Sequence, residues 1–268
     1  MASERPFGLS DQARAPVWRP VHALWWRELV KLSRQRTRLL AGLGQPLMYL
    51  TALGTGLNAV FERAGFGNYI VFLSPGIVAM AVMTAAFVTG ISVLWDRKFG
   101  QLKVMMVTPV PPYALVVGRC LGAGSAAVLQ GSLVLLVIAL VNRMPMSIPA
   151  LMLVLAAMLA TGIIFSAIGI IFGSMVENFQ TIQLVVNFVL MPLFLMSGAL
   201  FPISSILQQP LVLGLIRANP AAYCVDALRM AMGQAGHFSV AADFIGIGAS
   251  LVLGVVVASI AMAKASMD

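Results

Sequence analysis

Six long apolar runs leave this chain few folds to choose from. They cover Leu39 to Phe61, Tyr69 to Leu94, Tyr113 to Val141, Ile148 to Met175, Phe179 to Phe201 and Asp243 to Ala263. Each is at least as long as the roughly 20 residues a helix needs to cross a ~30 Å hydrocarbon layer. The links Glu62 to Asn68, Asn142 to Ser147 and Val176-Glu177-Asn178 are brief. Within hydrocarbon every backbone N–H and C=O must be satisfied internally, so runs of this length are expected as helices. Pro46 and Pro75 interrupt the first two. Composition agrees: 10% of the 268 residues are charged, against about 25% in soluble domains, and mean hydropathy is +0.96. The chain reads as an all-α polytopic membrane protein with six transmembrane helices.

Residues 1–16 are polar, contain Pro6, Gly8 and Pro16, and have too little apolar surface to fold alone; a disordered cytoplasmic tail is expected. Residues 17–38 form an amphipathic interfacial helix, with Val21, Leu24, Trp25, Leu29 and Leu32 on one side and Arg27, Lys31, Arg34 and Arg38 largely on the other. Residues 39–268 make the transmembrane domain. The first apolar run starts behind a long polar arm with no small-residue cleavage site after it, so no cleavable signal peptide is expected. The net charge of +8 sits in loops and the amino-terminal arm, which points to a lipid surface and not to nucleic acid. With both termini inside, Arg5, Arg14, Arg19, Arg27, Lys31, Arg34, Arg36, Arg38, Arg97, Lys98, Lys103, Arg119 and Lys264 are cytoplasmic. Only Arg63, Arg143, Arg217 and Arg229 fall on the other face. Cys120 and Cys224 then lie on opposite sides, and no disulfide is implied.

Two segments break the pattern. Trp95 to Pro112 is charged and amphipathic. As a helix from Asp96 it sets Phe99, Leu102 and Met106 on one side, with Arg97, Lys98, Gln101 and Lys103 around the rest. Thr108-Pro109-Val110-Pro111-Pro112 ends it. This cytoplasmic knob suits the grip of a soluble partner; a plain interfacial connector is the other reading the pattern permits. Pro202 to Ala242 is too apolar for a free loop and is broken by Pro202, Pro210, Pro220, Gly233 and Gly236. Its pieces, Ile203 to Ile216 and Ala221 to Met232, are too short to span, and read as two short helices dipping into the outer leaflet before the last span.

The spans carry few ionisable groups: Arg119 near an inner edge, Glu177 and Asp243 at ends. With no membrane carboxylate to take up a proton, an ion-coupled pump is disfavoured, while sodium binding by backbone carbonyls stays open. The chain has no GxxxxGK[ST] phosphate loop, so energy is expected from a partner ATPase on the knob. Catalysis is not expected. Ser197-Gly198 is preceded by Leu195 where a protease motif has glycine, the only histidines are His22 and His237, and no HExxH occurs. Gln45, Gln130, Gln183 and Asn187 suit either a translocation path or interhelical hydrogen bonds. The pairs Gly118 with Gly122 and Gly169 with Gly173 permit close packing within a subunit or across a dimer. Asn219 before Pro220 reads as a helix amino-cap, and Asp226 and Arg229 as an i,i+3 pair.

Three stretches carry a family resemblance: Tyr69-Ile70-Val71-Phe72-Leu73-Ser74-Pro75-Gly76; Asp96-Arg97-Lys98-Phe99-Gly100-Gln101-Leu102-Lys103 with Thr108-Pro109-Val110 and Gly118-Arg119; and Asn219-Pro220-Ala221-Ala222-Tyr223-Cys224-Val225-Asp226-Ala227-Leu228-Arg229. The last is similar to an NPxxYxxDxxR element. In this order and at these topological places, they resemble the membrane subunits of ABC-2 type exporters, particularly the drug-resistance and nodulation-factor branch. The resemblance implies a homodimer working with two ABC ATP-binding subunits in the bacterial cytoplasmic membrane. ATP and Mg²⁺ are then held on the partner, with no cofactor on this chain. It makes Asp96, Arg97, Lys98, Phe99, Gly100, Leu102, Lys103 and Met106 a coupling helix. It makes Asn219, Pro220, Tyr223, Asp226 and Arg229 an outer gate. The implied cargo is amphiphilic and moves outward from the cytoplasm or inner leaflet. Trp18, Trp25, Trp26 and Trp95 all fall at the cytoplasmic interface, where they cannot line a sugar route, which favours a drug, lipid or lipid-linked cargo over a long glycan. Export of a polysaccharide or lipooligosaccharide, and a stand-alone carrier or channel, are the alternatives.

Overall fold

The computed structural model describes residues 18–34, 36–65, 67–99, 111–142, 146–176, 178–203 and 210–265. The expected tail, and Gly100, Leu102, Lys103 and Met106 of the knob, lie outside them. Every regular element among the described residues is a helix: α1 Trp18–Arg34, α2 Arg36–Arg63, α3 Tyr69–Ile91, α4 Val93–Lys98, α5 Pro112–Asn142, α6 Ile148–Met175, α7 Phe179–Val185, a π turn Val186–Leu190, α8 Met191–Leu195, α9 Pro210–Ala218, α10 Pro220–Ala231 and α11 Val240–Ala265.

Local chemistry sets several starts. The Asn68 carboxamide oxygen accepts from the N–H of Ile70 at 2.9 Å and of Val71 at 3.3 Å, satisfying donors that the first turn of α3 leaves unpaired. Ser147 caps α6 through the N–H of Ala150 at 3.4 Å. Asn219 caps α10 through Ala221 at 2.9 Å, with Pro220 supplying the first helical residue.

Helix α3 is the centre of the bundle. It is apolar on all sides, and Leu73, Ile77, Val78, Ala79, Ala81, Val82, Ala86 and Phe87 are fully enclosed, as a helix without a polar face requires. Helices α2, α5, α6 and α10 pack around it. Lipid tails are as apolar as leucine, so close packing and not water exclusion holds such helices together. The α3–α6 crossing shows how. A Cβ added at Gly169 would stand 2.3 Å from the Phe87 carbonyl oxygen, and one at Gly90 would stand 2.2 Å from that of Ser166. The backbones touch there, and within one subunit.

Four helical stretches are long and apolar enough to cross a membrane: α3 with α4, α5, α6 and α11. The pair α9–α10, bent by 74° at Asn219, makes five if counted as one broken span. Helix α2 is long enough at 28 residues, but Gln45, Thr51, Thr55 and its glycines dilute its apolar character. The run expected from Phe179 to Phe201 ends as a helix at Leu195. A turn follows in which Gly198 has φ 75°, a conformation only glycine adopts freely. Helix α11 turns Phe244, Ile245, Val252 and Leu253 outward at 66% exposure or more, the pattern of a helix whose neighbour is lipid.

The bundle has two distinct ends. At one, Leu24 of α1, Val93 of α4, Leu115 of α5 and Met262 of α11 form one buried cluster, bringing the first and last helices together. The other holds Tyr69, Leu200 and the α9–α10 pair, with the start of α11.

Candidate functional site

The end that holds α1 and α4 is organised by Asp96. Helix α1 lies directly on α5 because Gly118 and Gly122 leave room for it: Cβ atoms there would stand 2.9 Å from the Val21 carbonyl oxygen and 2.7 Å from the Glu28 Cβ. The Trp25 indole N–H donates to Ser125 Oγ at 3.0 Å across that contact. The Asp96 carboxylate accepts from Arg119 of α5 and, at 3.3 Å, from Arg27 of α1. Glu28, also buried, accepts from Lys31 at 2.9 Å and lies 3.4 Å from Arg27. One network therefore joins α1, α4 and α5. The Arg97 guanidinium donates to the Ser174 carbonyl oxygen at 2.9 Å, adding the last turn of α6.

Helix α4 begins at Val93, three residues before the expected Asp96, after a break at Ser92 whose hydroxyl donates to the Thr89 carbonyl oxygen at 2.6 Å. Asp96 consequently faces inward, Arg97 reaches across to α6, and Lys98 and Phe99 face out, Phe99 with 70% exposure. Of the path candidates, Gln130 is buried. With Glu28, Lys31, Leu39, Val88 and Ala126 it lines a cavity of about 450 Å³. Gln45 is exposed on α2. Gln183 and Asn187 are exposed together, their amides 3.5 Å apart. The structure thus brings Gln183 and Asn187 side by side and leaves Gln45 and Gln130 apart from them.

At the opposite end the NPxxYxxDxxR residues knit the α9–α10 pair to the bundle. Asn219 also donates to the Leu193 carbonyl oxygen at 2.7 Å, and the Tyr223 hydroxyl donates to that of Arg217 at 2.7 Å. Asp226 accepts from the backbone N–H of His237 at 2.7 Å and of Phe238 at 2.8 Å. Arg229, buried, donates to the Gly198 carbonyl oxygen at 3.0 Å and lies 4.5 Å over the Phe72 ring. Its distance to Asp226, 4.0 Å, makes their pairing the loosest of its contacts. Burial, and then the charge of Arg229, push the His237 imidazole below its ordinary range, partly offset by Asp226.

Sequence patterns did not single out Arg27, Glu28, Trp25 and Ser125 as a unit, since they lie on separate segments. The glycine pair in α5 was the available signal. Nor did they join Asp243 to Asp226. Asp243 is 2% exposed in the first turn of α11, and an acidic residue opening an otherwise apolar helix was its only mark.

The ABC-2 type transporter family model matches residues 19–232, a range that contains both ends just described. Nodulation protein J of Rhizobium leguminosarum bv. viciae is 28% identical over 219 residues, covering 81% of this chain and 80% of the relative. The inner membrane transport permease YadH of Escherichia coli K12 is 26% identical over 215 residues, covering 79% and 82%. A helical bundle with apolar, membrane-length spans, matched along most of its length by this family, leaves one conclusion: the chain belongs to the ABC-2 type transporter family and is one of its membrane-spanning permeases.

Proposed function

We propose that this permease is the membrane subunit of an ATP-driven exporter, a homodimer working with two ABC ATP-binding subunits that carry ATP and Mg²⁺. It crosses the bacterial cytoplasmic membrane six times, with α2 and the α7–α8 run as first and fifth spans, both termini inside and the α9–α10 pair re-entering from outside. Support for the partner comes from the family, whose permeases work with ABC ATP-binding subunits. The observation that carries the coupling role is the Asp96 network. Exposed Phe99 sits at the tip of α4, and Asp96 in the same helix is tied to α1 and α5. A partner pressing on Phe99, and on Gly100, Leu102, Lys103 and Met106 beyond it, would move three helices and not a loose loop. Asn219, Pro220, Tyr223, Asp226 and Arg229 then serve as the outer gate.

A cavity with Glu28 and Lys31 beside Leu39 and Val88 suits a cargo that is part charged and part apolar: a drug, lipid or lipid-linked molecule taken from the cytoplasm or inner leaflet. The test is reconstitution with an ATP-binding subunit and a screen of amphiphiles for stimulated ATP hydrolysis. Stimulation by hydrophobic amphiphiles is expected. Concentrative transport by the permease alone without ATP would overturn the exporter reading, and stimulation by glycans only would overturn the cargo class.

A further inference from the structure

Asp243 is the group that the coupling and gating roles leave unused. Its carboxyl is buried, and neither oxygen accepts a hydrogen bond from any N–H or O–H among the described residues. The group it faces is another carboxyl, that of Asp226, within hydrogen-bonding reach. Asp226 is already occupied as an acceptor by the N–H groups of His237 and Phe238. Two carboxylates in contact away from water repel each other strongly, and a hydrogen bond between them requires a proton that one of them brings.

The surroundings do not supply the missing positive charge. Helix α10 offers Arg229, which is committed to the Gly198 carbonyl oxygen and the Phe72 ring, and the neutral thiol of Cys224 beside Thr161 of α6. The turn before α11 offers the His237 imidazole, held toward its neutral form by burial and by Arg229. Helix α3 offers the Tyr69 hydroxyl, donated to the Leu200 carbonyl oxygen at 3.0 Å. One guanidinium stands against two carboxyls. Among the described residues no third acidic, thiol or imidazole group joins them in an arrangement that holds a metal ion.

We propose that Asp243 and Asp226 share one proton, taken from water at this end of the bundle, and that this proton-binding site latches the first turn of α11 to α10. Losing the proton leaves two charges in contact and drives the helices apart, so the latch holds in acid and opens in alkali. The site makes opening of this end sensitive to pH, a property separate from the identity of the cargo and from the ATPase.

The test uses the purified full-length permease in lipid nanodiscs. Infrared spectroscopy of the wild type should show the carbonyl stretch of a buried carboxylic acid, fading as pH is raised. Asp243→Asn keeps the shape and a hydrogen-bond donor toward Asp226, and should abolish that band. In thermal unfolding between about pH 6 and about pH 9 the wild type should lose Tm as pH rises, whereas D243N should stay level. Absence of the acid band in the wild type, its persistence in D243N, or parallel decline of both proteins with pH would each overturn the proposal. None of these readouts depends on export.

Discussion

At the scale of single residues, charge placed where water is scarce decides most of the behaviour. Asp96 is 7% exposed and bonded to two arginines. Such a group stabilises only while its partners remain, since removing one side of a buried pair typically costs 3 to 5 kcal/mol, about the upper range for a point change. Arg119→Met should therefore lower stability by about 3 kcal/mol, partly cushioned by Arg27, with a fall in Tm and in yield from detergent. Lys31→Ala, at a half-exposed ammonium, should cost well under 1 kcal/mol, roughly the surface-pair range. His237 makes a pH prediction. Its folded form prefers to be neutral, so the unfolded chain binds more protons in the window just below the ordinary histidine range. Stability from this residue is whole above that window and falls with acidification through it. His237→Gln should flatten the acid limb of the Tm–pH curve while leaving its alkaline limb unchanged.

At the scale of elements, the crossing of α3 and α6 is set by glycines and tolerates no growth. Gly169→Val would push a side chain into the Phe87 carbonyl, and overpacking of this kind costs roughly 1 to 3 kcal/mol or more. Gly56→Val, at a glycine on α2 with nothing within 4 Å of an added Cβ, should be near neutral by the same assay. Much of this architecture was legible in the chain. Proline and glycine marked the α9–α10 break, asparagine before proline marked the cap at Asn219, and long apolar runs marked α5, α6 and α11. Helix α2 was harder to read, because its leucines at positions 43, 47, 50, 53 and 57 face α3 while its other side is small and hydroxylated. Such a mixed helix scores weakly as a span although its apolar stripe is complete. The start of α4 was misplaced because Val93 and Leu94 continue an apolar run, and only the backbone break at Ser92 separates them from α3. The Asp96 and Asp243 clusters were not legible at all, since each joins residues from separate segments that only the packed bundle brings together.

At the scale of the whole molecule, the separation of the two charged ends sets up tests of orientation and coupling. Both native cysteines, Cys120 and Cys224, are buried, so they offer little background to a water-soluble thiol reagent. Under the proposed topology, Lys98→Cys should be labelled from the cytoplasmic side and Ser239→Cys from outside; the reverse pattern would invert the permease. Phe99→Ala should reduce cargo-stimulated ATP hydrolysis by about tenfold, equivalent to about 1.4 kcal/mol of docking. Its Tm should stay unchanged, because the ring is exposed and packs against little within the subunit.

The α7–α8 run has a consequence for the bilayer beside it. From Phe179 to Leu195 it extends roughly 25 Å at 1.5 Å per residue, about 5 Å less than an average hydrocarbon layer. As a crossing, it pinches the neighbouring acyl chains or draws polar headgroups inward. Leu184 and Phe188, turned outward on this run, would stand at the thinnest part of the annulus. There an amphiphile has the shortest distance to flip, and lengthening the surrounding lipid tails should slow its passage.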